Sequence, residues 1–250
     1  MKLFGFHSVE ARLRSAPTTI RELMFDRDRV DGRVRALKAL AEQQSVAWSM
    51  VGASRLDRLA KGQRHQGVVA VVDITVARSE LAPLLDRLAD REQPPLFVLL
   101  DGVTDPRNLG AVLRVADGAG ADAVIAPRDH SCGLNEVAIH TSTGAAESVP
   151  YITVVNLSRT IEQLQDRGIR VLGAADEAAA PLFEAELTGP LAWVLGAEGT
   201  GIRRLVREHC DTLISIPMAG RCQSLNVSVA AAVVLYESVR QRAGARRVSR

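Results

Sequence analysis

The sequence predicts an α/β protein of two domains, and three observations carry that expectation. Between residues 96 and 216, short apolar runs alternate with segments whose apolar residues recur at helical spacing. That alternation is the mark of a parallel sheet covered on both faces. A Pro94-Pro95 pair closes a mostly polar stretch that begins near Asp73, and two consecutive prolines cannot continue a helix. Ahead of that stretch, residues 1–72 carry their own sequence of strand-like and helix-like runs. With 250 residues in all, each part is long enough for a core of its own. The expected organisation is a small α/β domain over 1–72, a linker over 73–95 and a larger α/β domain over 96–250.

In the first part, Ser8 is placed to cap a helix carrying Val9 and Leu13. Residues 20–25 (IRELMF) alternate as a strand does. Val34, Leu37, Leu40 and Ala41 form a helical stripe. Residues 46–51 read as a second strand, 54–59 as a short helix and 67–72 as a third, almost wholly apolar strand. The linker holds one short amphipathic helix with Leu81, Leu84, Leu85 and Leu88.

In the second part, strands are expected at 96–100, 123–126, 151–155, 170–174 and 191–195. Helices are expected at 109–119, 135–142 and 158–167, the last capped by Asn156 or Ser158. Ligands of such sheets sit beyond the carboxyl ends of the strands.

Composition narrows the function classes. The hydrophobic fraction of 47% is ordinary for a globular chain. No apolar run approaches the ~20 residues that span a bilayer. The start, MKLFGFHSVEARLR, becomes charged too soon for a signal peptide. Cys132, Cys210 and Cys222 are odd in number and form no C-x-x-C pair, which argues against a disulfide framework or a zinc site and fits a reducing cytoplasm. No metal site and no membrane partner are expected. The net charge is +2, but it is unevenly spread. Residues 1–72 carry 13 basic and 7 acidic side chains, residues 73–239 carry 13 and 22, and residues 240–250 carry five Arg and no acid. Basic ends suit contact with a polyanion. Apart from Lys2, Lys38 and Lys61 every basic residue is Arg, whose fork matches phosphate oxygens.

The chain is organised around 193–228, WVLGAEGTGIRRLVREHCDTLISIPMAGRCQSLNVS. An apolar strand ends in Gly196, Gly199 and Gly201, positions where the backbone must turn tightly or approach a ligand. Ile202, Leu205 and Val206 then recur at helical spacing, 213–216 form another strand ended by Pro217, and a loop over 218–224 leads into a long apolar helix. The glycines match neither G-x-G-x-x-G nor the P-loop, so neither a dinucleotide oxidoreductase nor a nucleotide triphosphatase is favoured.

Taken together, LGAEGTGI, ISIPMAG and SLNVSVA resemble the last two signature motifs of the SpoU/TrmH family, RNA ribose 2′-O-methyltransferases of the SPOUT superfamily. The family's first motif, an Asn six residues before an Arg after a strand, is matched upstream by LLDGVTDPRNLGAVLRVADGAGADAVI, with Asn108 and Arg114. The resemblance implies a C-terminal domain with a deep trefoil knot, a departure from the usual unknotted topology, S-adenosyl-L-methionine as cofactor, and a homodimer formed through the knotted domain. It implies catalytic roles for Arg114, Glu198, Ser224, Asn226 and Asn108. For the cofactor it implies Thr143, Leu195, Gly196, Glu198, Gly199, Ile216, Met218 and Leu225. LFGFHSVEARL and RHQGVVAVV also resemble the ribosomal-protein-like RNA-binding module of the RlmB-type members, which implies Arg64, His65 and Gln66, together with Arg114, as RNA contacts and 23S rRNA as substrate, methylated at guanosine. The segment TGAAE at 143–147 resembles a further family segment, with His140 where the family carries Lys, and Gln223 also departs from the common pattern.

Plain readings stand beside these. Asn108 and Glu198 lie where helix-terminus residues are expected, whereas Asn226, second in its helix, has no capping need. A tRNA ribose methylase, an antibiotic-resistance rRNA methylase and, from another class, an RNA-binding assembly factor without catalysis are the alternatives.

Overall fold

The protein is described by a computed structural model covering residues 2–73, 80–222 and 224–248. It divides into two compact units, Met1–Val76 and Ala77–Arg250.

The first unit runs β1 (Lys2–Phe4), α1 (Phe6–Ser15), β2 (Ile20–Asp26), α2 (Gly32–Gln43), β3 (Trp48–Val51), α3 (Ala53–Ala60) and β4 (Val68–Val72). Its sheet has the order β1-β4-β2-β3, with β2 and β3 parallel and the other pairs antiparallel. Strand alternation divides the core between the two faces. Leu23 and Phe25 pack with Phe6, Val9 and Leu13 of α1 and Val34 and Leu37 of α2. Met24, between them in sequence, packs with Val51, Leu56 and Val69 instead. The helix expected to be capped by Ser8 starts earlier, at Phe6, after Gly5 with φ of 80°. Ser8 therefore lies inside it. The cap of α2 is Asp31, which accepts hydrogen bonds from the backbone N–H groups of Arg33 and Val34.

The second unit runs α4 (Leu81–Leu88), β5 (Leu96–Asp101), α5 (Pro106–Gly118), β6 (Ala123–Pro127), α6 (Glu136–Ser142), α7 (Ala145–Ser148), β7 (Tyr151–Val154), α8 (Leu157–Gln165), β8 (Arg170–Ala174), β9 (Ala180–Pro181), β10 (Leu191–Gly196), α9 (Arg204–His209), β11 (Thr212–Ser215) and α10 (Val227–Val248). The helix assigned from sequence to the linker is α4. It belongs to this unit, because Leu81, Leu84 and Leu85 are buried in one core with Phe97, Leu99, Ile161 and Val171. The apolar stripe that marks it as amphipathic is what docks it.

The seven strands are all parallel, in the order β7-β6-β5-β10-β8-β11-β9. Successive strands β5, β6 and β7 step outward in one direction, whereas β10 comes late and inserts between β5 and β8. Every residue of β5 is buried, and β10 pairs with it from Leu191↔Leu96 to Gly196↔Asp101. The register brings the carboxyl ends of β5 and β10 side by side at the place where the strand order reverses, which is where open α/β sheets bind ligands. At the opposite end, the Arg242 guanidinium donates to the carbonyls of Pro94, Pro95 and Gly189, tying α10 to the starts of β5 and β10. Fully buried Trp193 donates its indole N–H to Ser238 of α10 at 3.1 Å. No helix among the described residues is long and apolar enough to cross a membrane.

Candidate active site

Three chain segments meet beyond the carboxyl ends of β5, β10 and β11. The first is the start of α5. Asp105 caps that helix by accepting from the backbone N–H of Arg107, and Pro106 occupies its first turn. The helix therefore begins three residues before the expected position 109, and Asn108 sits within its first turn rather than ahead of it. Gly110, two residues on, lets α6 approach: a Cβ there would lie 2.4 Å from the Ala138 carbonyl oxygen.

The second segment is the loop 197–203 after β10. An isolated antiparallel bridge joins Ala197 and Gly201, closed by a Gly201 N–H to Ala197 carbonyl bond of 2.9 Å. Gly199 and Gly201 adopt φ of 79° and 64°, a region glycine enters without steric cost. At Gly196 a Cβ would lie 2.0 Å from the Gly201 backbone, so the fold-back requires glycine there. Glu198 lies at the tip of this loop, six residues ahead of α9, and so is not a helix-terminus residue.

The third segment is the entry to α10. The helix starts at Val227, not at Leu225, and this alters the role of Asn226. Its Oδ1 accepts from the Ser228 backbone N–H at 2.9 Å and from the Ser228 hydroxyl at 2.6 Å. Asn226 is thus the cap of α10, contrary to the expectation that it has no capping need. Capping uses only the carbonyl end of the amide. The Nδ2 end donates to Asn108 Oδ1 at 3.1 Å and to Glu198 Oε1, which also accepts from Asn108 Nδ2 at 3.3 Å.

Beside this cluster lies a cavity of about 380 Å³. Leu195, Gly196, Glu198, Gly199, Ile216, Met218 and Leu225, all expected to hold a cofactor, line it, as does Ser224. Thr143 does not. It is exposed at the end of α6 in a left-handed conformation, φ 51°, and is not one of the residues that line this cavity. Asp176, Glu177 and Arg207 line the cavity although no motif pointed to them. Arg207 is ion-paired with Glu177. A hydrogen bond from its own backbone N–H, and then the Arg207 guanidinium, hold the Glu177 carboxyl below the usual carboxylate range.

Arg114 extends from α5 into solvent and makes no hydrogen bond or ion pair with a described residue. At 1.5 Å per residue it lies about 9 Å along the helix axis from Asn108. Sequence reasoning missed the group beneath the loop. Asp101, fully buried at the end of β5, accepts from the Arg203 backbone N–H at 2.8 Å and from its Nε at 2.7 Å, with Nη2 at 2.6 Å. The one available signal was an acid closing the apolar run LFVLLD, and its partner lies 102 residues away. His140 is exposed, and Gln223 lies outside the described residues.

In the first unit, Arg64 and Gln66 are exposed on the turn before β4. His65 Nδ1 accepts from the Gly67 N–H at 3.1 Å, which places the ring proton on Nε2, 3.0 Å from Asp57 Oδ1. Gln66 is left-handed at φ 54°, and its carbonyl accepts from Arg29, whose guanidinium lies 4.9 Å from the Phe6 ring centroid. The turn is thus fixed from below while Arg64 and Gln66 stay exposed.

Comparison with known proteins bears on both units. Residues 2–75 match the RNA 2′-O ribose methyltransferase substrate binding family. The 23S rRNA (guanosine-2′-O-)-methyltransferase RlmB of Ralstonia nicotianae is 53% identical over 96% of this chain and 95% of its own. The protein of the same name from Bordetella pertussis is 51% identical over 97% and 98%. Among solved structures, the SpoU methyltransferase AviRb from Streptomyces viridochromogenes in complex with the cofactor AdoMet has a TM-score of 0.76 at 27% identity, covering 98% of this chain and 91% of that one. Residues 95–236 match the SpoU rRNA Methylase family, and with near full-length relatives at this identity the chain belongs to that family.

Proposed function

We propose that the protein methylates the ribose 2′-hydroxyl of a guanosine in 23S rRNA, with S-adenosylmethionine as methyl donor. The observation that carries the reading is the meeting of three separated motifs, through Asn108, Glu198 and Asn226, at the edge of one cavity. The substrate follows from the names of the full-length relatives and from the match of residues 2–75 to a substrate-binding family.

The lining fits the cofactor. Leu195, Ile216 and Leu225 offer apolar walls to a purine, and the glycine loop exposes backbone donors and acceptors. Asp176, Glu177 and Glu198 against the single Arg207 leave the lining net negative, the sign that favours a cationic ligand. When bound, the cofactor supplies a methyl group on a sulfonium sulfur, open to in-line displacement by an oxygen.

The chain's own groups must bring that oxygen into line and stabilise the charge it acquires. Arg114 is assigned to this. Its guanidinium is exposed and has no ion-pair partner among the described residues, so it is available to hold a phosphate and to stabilise a developing alkoxide. Asn108 and Asn226 orient Glu198 by donating to one carboxylate oxygen. Ser224, on the cavity wall, is placed to orient the incoming ribose. Arg64, His65 and Gln66 are assigned to RNA held by the first unit. Thr143 is kept as a cofactor residue only in the sense the family resemblance gives it.

Two further parts of the reading concern the whole molecule. The deep trefoil knot is kept as part of it, supported by the late insertion of β10 between β5 and β8. A homodimer is kept as well, supported by Val229 and Tyr236 of α10, 47% and 51% exposed. A protein acting on ribosomal RNA is placed in the cytoplasm.

The test is transfer of labelled methyl from S-adenosylmethionine to protein-free 23S rRNA and to bulk tRNA, with product nucleosides identified. Label in 2′-O-methylguanosine from 23S rRNA alone is the expected result. Label in tRNA overturns the substrate, and label in neither overturns the proposal.

A further inference from the structure

Asp101 is a buried acid that the reaction itself does not use. Its surroundings give it a task. It ends β5 with no exposed surface, and burying a carboxylate is costly unless it is paired and hydrogen-bonded. Here Arg203 supplies every side-chain partner found among the described residues: the backbone N–H at 2.8 Å, Nε at 2.7 Å and Nη2 at 2.6 Å. The guanidinium engages Oδ1 and the backbone N–H engages Oδ2, so both carboxylate oxygens are held and orientation is fixed as well as distance.

The position of this pair in the chain matters more than its strength. The loop 197–203 leaves β10 at Gly196, which is in register with Asp101 on β5. It returns to the same place through Arg203. Both feet of the loop therefore stand on one residue, and its span carries Glu198, Gly199, Thr200 and Gly201, all lining the cavity. The tip has a second tether, from Glu198 to Asn108 and Asn226. Ile202 anchors the returning limb in the core, but Gly199 and Gly201, with φ of 79° and 64°, bring no side chain to the span between, and glycine loses more conformational freedom on ordering than any other residue.

We infer that Asp101 is a positioning residue that holds the 197–203 loop closed over the cofactor cavity by clamping Arg203. The clamp sets the shape of the cavity before the ligand arrives, so the ordering cost of the loop is met by folding rather than by binding. This deepens the proposed function and rests on it for the identity of the cofactor.

The test uses the full-length protein and the variants Asp101→Asn, Arg203→Lys and Arg203→Ala. Three quantities are read: S-adenosylmethionine affinity by calorimetry, RNA affinity, and hydrogen exchange of the peptide spanning 196–206 in the ligand-free protein. Asp101→Asn keeps the shape but loses the charge. It should weaken cofactor binding at least about tenfold, the scale of one hydrogen bond to a charged group. It should also speed exchange across 196–206 and leave RNA affinity unchanged. Arg203→Ala keeps the backbone N–H bond but leaves the buried carboxylate without its counter-ion, so it should weaken the cofactor at least as much as Asp101→Asn does. Arg203→Lys, which retains the charge, should recover part of that loss.

Methyl transfer by Asp101→Asn at saturating cofactor should stay within about threefold of the parent, so that the change falls on KM rather than kcat. Unchanged cofactor affinity in Asp101→Asn overturns the inference. So does equal loss of cofactor and RNA binding with a lowered melting temperature, which marks a general folding role. If the unaltered protein binds no S-adenosylmethionine, it is the cofactor assignment that fails.

Discussion

Asn108 and Asn226, 118 residues apart in the chain, are joined by a 3.1 Å hydrogen bond, and both donate to the same oxygen of Glu198. Asn226 has two jobs that different ends of its amide perform. The carbonyl caps α10 and the NH₂ group holds the cluster. The two jobs can be separated by substitution. Asn226→Ala loses both, and the lost cap alone should cost about 1 kcal/mol of stability. Asn226→Asp keeps a good capping oxygen but replaces the donor with a second carboxylate facing Glu198. We expect Asn226→Asp to melt near the parent temperature while losing at least about tenfold in methyl transfer, from the scale of a lost hydrogen bond to a charged group. Parallel losses of stability and activity in both variants would show that the amide donor has no separate role. Thermal denaturation and single-turnover transfer decide between these outcomes.

Arg114→Ala should abolish transfer at the level of detection while leaving S-adenosylmethionine binding within about twofold, because Arg114 is absent from the cavity lining. Arg114→Lys keeps the charge but loses the fork, and it should restore only part of the rate. Loss of cofactor binding by titration of Arg114→Ala would make Arg114 a pocket residue and remove the role assigned to it.

The elements were largely legible, because burial imposes its period on the sequence. Met24 alternates with Leu23 and Phe25 across the first sheet, and the first five of the six buried residues of β5, Leu96 to Leu100, form a solid apolar run. The order of the strands was not legible. Nothing local in 191–196 says that β10 inserts between two earlier strands, since that choice is made by contacts distant in sequence. The placing of α4 in a linker failed for a related reason: the stripe at Leu81, Leu84 and Leu85 was seen, but not the surface it packs on. In the site, motif residues were found and their partners were not. Asp101 looked like the end of a strand, and its dependence on Arg203 appears only when β5 and β10 lie side by side. Asn226 was misjudged because a two-residue error at the start of α10 turned a cap into a residue of the first turn.

Buried Tyr151 and half-buried Cys210, two acids of high pKa, set an alkaline limit on stability. Burial raises the Tyr151 phenol to about 12, and burial, with Asp211 and then Asp101 nearby, raises the Cys210 thiol to about 12. Their ordinary values are 10 and 9, so above those values the unfolded chain gives up protons that the folded chain still holds. Stability contributed by the protonated forms is complete below pH 9 and falls as pH rises from there towards 12, by at most about 1.4 kcal/mol per pH unit for each group. Denaturant titrations between pH 8 and 11 should show this decline, and Cys210→Ala should make it shallower. The same burial predicts that iodoacetamide at pH 8 labels exposed Cys222 well before Cys210. An equal rate at both, read by peptide mass spectrometry, would contradict the raised pKa and half-buried position of Cys210.

The outward-facing turn of the first unit carries the last prediction. Arg64 is exposed and has no ion-pair partner among the described residues, whereas neighbouring His65 is engaged with Asp57 and Gly67. Arg64 is therefore the residue of the three most available for a phosphate, and His65 the one most concerned with the shape of the turn. Arg64→Ala should weaken binding to a 23S rRNA fragment without changing the melting temperature or S-adenosylmethionine affinity. A lost phosphate contact has a signature beyond affinity, because each contact releases condensed counterions. The slope of log K against log salt should become shallower by roughly 0.7 to 0.9. His65→Ala should lower RNA affinity together with the melting temperature, since it removes the acceptor of the Gly67 N–H. If Arg64→Ala leaves both the affinity and the salt slope unchanged, this turn does not contact the RNA backbone, and the substrate surface of residues 2–75 must lie elsewhere on the unit.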